Sequence, residues 1–204
     1  MRKIITTTFV TLDGVMQAPG GPKEDTSGSF AYGGWQTSFP PDEMMGSIMT
    51  GFMNTPFELL LGKTTYDIFA SYWPNAKTDL EVANPFNSTK KYIASHESFE
   101  PSWRNSFCIT GDVVAQIKNL KEQDGPDLWV YGSGNLIQTL LEYHLIDRMH
   151  LLTHPITIGT GKRLFAEGTQ ADGFKLVDSK ISATTGIIFA TYEPTGPLKV
   201  SSVV

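Results

Sequence analysis

Leu128-Trp129-Val130-Tyr131-Gly132-Ser133-Gly134-Asn135-Leu136-Ile137 carries the topology of this chain. A short apolar run ends in a Gly-Ser-Gly turn, and from residue 136 to 146 the apolar side chains recur at helical spacing: Leu136, Ile137, Leu140, Leu141, Leu145. A buried strand therefore feeds directly into the first turn of a helix. The unpaired N–H groups of such a turn carry partial positive charge, and flanking glycines let an anion approach the backbone. Phosphate is the anion these corners commonly hold. The same pattern also fits a tight strand-to-helix connection in which glycine only supplies unusual dihedrals.

Two further glycine corners lie outward from this one. Toward the N-terminus, Phe57-Glu58-Leu59-Leu60-Leu61-Gly62 reads as a strand buried on both faces. It runs into Lys63-Thr64-Thr65-Tyr66 and a short helix through 67–69, bringing a cation and two hydroxyls suited to a phosphate. A helix cap beside a surface lysine explains the same residues. Toward the C-terminus, the strand 149–153 ends at His154-Pro155, and Gly159-Thr160-Gly161-Lys162-Arg163 forms the third corner.

The rest of the chain alternates strand and helix. Residues 3–12 are rich in Ile, Thr, Phe and Val and predict a first strand, closed by Asp13-Gly14. Residues 19–41 show no period but carry Phe30, Tyr32, Trp35 and Phe39, as a binding loop or lid over something apolar would. Pro40-Pro41-Asp42-Glu43 starts a helix whose Met44, Met45, Ile48, Met49, Phe52 and Met53 make one apolar face, for a core or a ligand pocket. Residues 73–87, broken by Pro74 and Pro85, read as loop. Short strands at 91–95 and 107–109 precede an amphipathic helix at 113–123 with Val114, Ile117 and Leu120 inward and its lysines outward. Three short antiparallel strands are expected at 174–177, 180–184 and 186–192. One α/β domain over 1–195 follows, a mostly parallel sheet between helical layers closed by an antiparallel hairpin, with a tail at 196–204.

With 204 residues, 40% hydrophobic and 18% charged, the chain has the size and composition of a single globular domain. A net charge of −5 and no basic run longer than Lys90-Lys91 argue against nucleic acid as the main partner. Cys108 is the single cysteine, in an apolar run, and is expected to be buried and inert. No segment suggests a membrane span or a secretory signal, so a cytoplasmic protein without a metal centre is expected.

Collected in order, these residues resemble the dihydrofolate reductase-like superfamily, in the branch of the reductase half of the bacterial riboflavin deaminase-reductase. The signatures are Thr11-Leu12-Asp13-Gly14, Leu61-Gly62-Lys63-Thr64-Thr65-Tyr66, Tyr131-Gly132-Ser133-Gly134, Leu145-Ile146-Asp147 and the run from Pro155 to Phe165. The resemblance implies an NADPH-dependent reductase. Gly132, Ser133, Gly134 and Asn135 would cradle the pyrophosphate. Gly62, Lys63, Thr64 and Thr65 would hold the 2′-phosphate and its neighbours, with Ser95 and His96 near the adenosine. The substrate cleft would be walled by Val10, Leu12, Trp35, Met45, Met49, Pro155 and Gly159, with Asp13 as the candidate catalytic acid.

Two departures bear on the substrate. The helix carboxylate that anchors pterin in dihydrofolate reductases would fall near Gly46, and the nearest acids are Asp42 and Glu43. The zinc deaminase signature is absent. The resemblance therefore implies a stand-alone reductase of a small heteroaromatic or carbonyl substrate. The alternatives are a riboflavin-pathway or folate-type reductase and a catalytically silent nucleotide-binding protein. Relatives often pair through sheet edges or the C-terminal hairpin, so a homodimer is expected.

Overall fold

Strands without polar alternation must be covered on both faces, and the centre of the sheet is built that way. The computed structural model describes residues 1–200. The order is β1 (Ile4–Thr11), α1 (Glu43–Met53), β2 (Phe57–Gly62), α2 (Lys63–Tyr72), α3 (Leu80–Ser88), β3 (Lys91–Ala94), β4 (Ser106–Ile109), α4 (Val113–Glu122), β5 (Asp127–Tyr131), α5 (Gly134–Glu142), β6 (Arg148–His154), β7 (Asp172–Ile181) and β8 (Ile188–Pro197). The eight strands form one sheet in the order β4-β3-β2-β5-β1-β6-β8-β7. The pairings from β4 across to β6 are parallel, and β8 runs antiparallel to both β6 and β7. The chain is a single α/β domain.

Alternation along each strand divides the core into two layers. Leu60, Leu128 and Val130 pack with Ile117 and Leu120 of α4 and with Leu136, Ile137, Leu140 and Leu141 of α5. Leu59, Leu61, Trp129 and Tyr131 face the opposite layer, among Met53, Tyr66 and Phe86. Helix α1 covers this second face, and its apolar side serves the core: Ile48 and Met53 are buried, while Met44, Met45 and Met49 are half-buried.

Several local expectations are corrected. Within the stretch 73–87 expected as loop, residues from Leu80 onward form helix α3 despite Pro85 inside it. Burial decides it, because Phe86 packs its ring 5.3 Å from Tyr131 and 5.4 Å from Trp73, and that outweighs the lost hydrogen bond. Lys121 turns inward from α4, donating to the Leu145 carbonyl at 3.0 Å and pairing with Asp147. Cys108 is half-buried, because β4 is an edge strand. The stretches expected as separate strands at 174–177 and 180–184 belong to the single strand β7, which bends at irregularities in its pairing with β8. Strand β8 continues through Pro197. Its pairing with β6 ends at Tyr192, so Pro194 and Pro197 lie where only β7 flanks the strand. In the expected tail, the Leu198 N–H donates to the Ala171 carbonyl at 3.0 Å. Residues 201–204 lie outside the described residues.

Candidate active site

The parallel strands end together, and the loops leaving that carboxyl edge bring the three glycine corners to one side of the sheet. Ligands of open α/β sheets bind at this edge. The first two corners are joined directly. Ser133 Oγ accepts from the Gly62 N–H at 3.0 Å and donates to the Tyr131 carbonyl at 3.1 Å. The Ser133 N–H in turn donates to Thr65 Oγ1 at 2.9 Å. One serine thus ties the start of α2 to the start of α5.

The join leaves both helix starts open. Asp42 caps α1 by accepting from the Met45 N–H, and Asp112 caps α4 by accepting from the Ala115 N–H. No side chain caps α2 or α5. At α5 the residue placed to cap is Ser133, and its hydroxyl is turned to β2 and β5 instead. The N–H groups of Gly134 and Asn135 lie in the uncapped first turn of α5, with the positive ends of two helices beside each other. Gly132 (φ 58°) and Ser133 (φ 57°) are both left-handed, and a Cβ on Gly132 would lie 3.3 Å from Thr65. Glycine is therefore required at 132 by close approach as well as by dihedral.

The structure brings Gly62, Lys63, Thr64, Thr65, Gly132, Ser133, Gly134 and Asn135 together. Lys63 is held by Asp67 at 2.7 Å in an exposed pair one helical turn away, and its ammonium stands 4.5 Å from the centre of the Phe99 ring. Ser95 and His96 follow β3 on the same edge. Ser95 is buried and donates to the Glu97 carbonyl at 2.7 Å, so its hydroxyl shapes the loop, whereas the His96 ring is exposed.

Asp13, at the end of β1, is already engaged by neighbouring donors. Its carboxylate accepts from Thr11 Oγ1 at 2.5 Å, from the Gly159 N–H at 2.7 Å and from the Ile158 N–H at 3.2 Å. The Thr11 hydroxyl, followed by these backbone donors, holds its pKa down at about 2. A carboxylate so placed carries no proton at neutral pH. It clamps the 155–161 segment onto β1. The basic pair of the third corner is engaged as well, Lys162 with Asp25 at 2.7 Å and Arg163 with Asp13 at 3.6 Å.

The residues expected to wall the substrate cleft are only partly united. Met45 lines an open cleft of about 350 Å³ with Gln36, Thr37, Phe39, Pro40, Pro41, Asp42 and Ile187. Trp35 lies behind it, buried, with its indole N–H on the Gln17 carbonyl at 2.8 Å. Val10 is buried on the far face of the sheet, in the core beneath α4 and α5, because side chains alternate along β1. Leu12, Pro155 and Gly159 are exposed around the clamped segment, and Met49 packs into the core.

Two residues of this region were given no place in the site from the sequence. Asp42 caps α1 and also accepts from Ser182 Oγ and from Thr185 Oγ1, the latter at 2.7 Å. That tie holds the β7–β8 turn to the cleft. His154 ends β6, fully buried, with its ring centre 5.1 Å from both Trp35 and Phe39. Its place after a strand and before Pro155 was legible, but its neighbours come from residues 35–39, which no local pattern connects to it.

The fold defined by this sheet and edge is that of dihydrofolate reductase. Over 95% of this chain and 96% of its own, a dihydrofolate reductase from Enterococcus faecalis solved with NADP(H) superposes with a TM-score of 0.59 at 10% identity. A candidate riboflavin biosynthesis protein from Shewanella sp. PV-4 superposes with a TM-score of 0.69 at 23% identity, covering 96% of this chain and 99% of its own. At such identities the likeness is one of fold. The sequence itself matches the RibD C-terminal domain family over residues 2–188, and the chain belongs to that family. It is similar to two uncharacterized proteins of Bacillus subtilis strain 168. YyaP is 29% identical over 96% of each chain, and YwjB is 24% identical over 88% of this chain and 91% of its own.

Proposed function

We propose that this protein is an NADPH-dependent reductase that transfers a hydride to a small heteroaromatic or carbonyl substrate. One observation carries the reading: two uncapped helix N-termini are tied side by side through Ser133 at the carboxyl edge of the sheet. The arrangement suits a pyrophosphate, whose charge the exposed N–H groups of Gly134 and Asn135 would neutralise. Lys63 would take the 2′-phosphate. Its pair with Asp67 is exposed and contributes only a few tenths of a kcal/mol, so a dianionic phosphate can replace it. Lysine offers a point charge without the fork of arginine, so discrimination against NADH is expected to be modest. When bound, the cofactor supplies the hydride, and the protein's residues bind, orient and exclude water.

Titration calorimetry with NADPH and NADH tests this. Micromolar NADPH binding is expected, weakened in Lys63→Ala and in Gly134→Val, whose added side chain would crowd Met16, 3.2 Å from a Cβ at that position. Binding of neither nucleotide would defeat the reading. Tight binding without turnover of any pteridine, pyrimidine or quinone would favour a silent nucleotide-binding protein. Homodimerisation through β7 is part of the same proposal, since that edge strand exposes Leu176, Val177 and Ile181. Sedimentation at the 22.5 kDa of one chain at micromolar concentration would refute it.

A further inference from the structure

His154 is one of several buried polar side chains with an unpartnered atom, and the one packed against residues of the cleft wall. Its ring has no solvent exposure, and Nδ1 stands 3.0 Å from the Leu152 carbonyl. A carbonyl only accepts, so Nδ1 carries the proton and Nε2 presents a lone pair. That Nε2 is buried without any hydrogen-bond partner. An unmatched buried acceptor is costly and calls for an explanation, a bound partner being one. Leu152 and Val10 backbone carbonyls and the Asp42 charge favour the charged imidazole, yet burial dominates and pushes its pKa below the ordinary value. The ring is therefore a neutral acceptor at pH 7.

The two rings over it differ in how firmly they are held. Trp35 is buried and fastened through its indole N–H to Gln17. Phe39 is half-buried, in extended backbone after a 3-10 turn, with its ring at 71° to that of His154 and a place in the wall of the 350 Å³ cleft. Phe39 thus touches both the open cleft and the ring that carries the unpaired nitrogen. Among the described residues no lysine or arginine lines this cleft, and its one charged lining group is Asp42. A phosphorylated or carboxylated substrate would find no free cation there. A flat, uncharged ring system would find aromatic walls, Met45 and one acceptor.

We propose that His154 recognises the substrate: its Nε2 accepts a hydrogen bond from the N–H or O–H edge of a planar, unphosphorylated heteroaromatic molecule that displaces Phe39. The inference rests on the reductase reading for its place beside a hydride donor, but its test does not require the cofactor. The probes are lumazine, which has N–H donors, and menadione, a bicyclic ring of similar size without any. In protein labelled with ¹⁵N-histidine, saturating lumazine should move the His154 Nε2 resonance upfield, with or without NADPH, and menadione should not. Lumazine affinity should fall roughly tenfold in His154→Leu and less in His154→Gln, which keeps an acceptor. Phe39→Ala should raise carbethoxylation of His154 by diethyl pyrocarbonate, read by mass spectrometry, which tests the cover without any ligand. The proposal is overturned if lumazine fails to bind, binds without moving Nε2, or binds wild type and His154→Leu equally. NADPH affinity measured on the same variants separates the two readings: it should be unchanged in His154→Leu. An Nε2 response in a protein that binds no NADPH would uphold His154 while removing the reductase.

Discussion

Replacing Ser133 by alanine tests the join on which the nucleotide site depends. The serine side chain is buried, 7% exposed, and makes hydrogen bonds to the Gly62 N–H at 3.0 Å and the Tyr131 carbonyl at 3.1 Å. Each such bond contributes about 1 kcal/mol net, so Ser133→Ala should destabilise the fold by about 2 kcal/mol. In a chain of this size that lowers Tm by about 4–8 °C. Ser133→Gly loses the same bonds but relieves the left-handed φ of 57°. That relief is worth roughly 1 kcal/mol, so its Tm should fall about half as far. The cost in φ also explains why serine stands at 133: its hydroxyl holds α2 to α5. Both variants should bind NADPH severalfold more weakly, because the two helix starts are no longer held together. Differential scanning calorimetry and NADPH titration on the three proteins check this. Equal Tm for all three, or lowered Tm with unchanged NADPH affinity, would refute the role given to Ser133.

Two further outcomes follow from buried charge. His150 lies against Phe52 and Phe189 with Nδ1 2.9 Å from Thr191 Oγ1, and burial, with the Arg148 charge adding to it, pushes its pKa down to about 4. The unfolded chain takes up this proton near pH 6.5 while the fold stays neutral until about 4, so stability falls as pH drops through that window. The loss reaches about 3 kcal/mol. Urea unfolding at pH 7 and pH 4 should show it, with a shallower fall in His150→Phe, where His154 retains part of the slope; an unchanged slope would contradict the assignment. Glu58→Gln should cost about 3–5 kcal/mol, because the guanidinium of Arg2, 3% exposed and 2.5 Å from Glu58, would be left buried without its counter-ion. A loss below about 1 kcal/mol in denaturant melts would mean that the Pro126 carbonyl, which accepts from Arg2 Nε at 2.5 Å, suffices.

The sequence by itself determined the alternation of strands and helices apart from α3 and the C-terminal strands, the placing of glycine corners after strands 57–62 and 127–131, and with them the family. These are local properties: apolar period, glycine and proline punctuation, and short ordered signatures depend only on neighbours along the chain. Helix α3 escaped because Pro85 is a strong local signal against a helix, and the burial of Phe86 that overrides it is tertiary. The division of labour at the site was equally invisible. Asp13 looked like a free acid, yet its carboxylate meets the N–H groups of residues 158 and 159, far along the chain. Lys162 and Arg163 read only as the basic end of a glycine corner, and they meet Asp25 and Asp13. His154 looked like a strand end and lies under Trp35 and Phe39. What a side chain can do chemically depends on which groups the fold sets within about 3 Å of it, and only the tertiary structure decided that here.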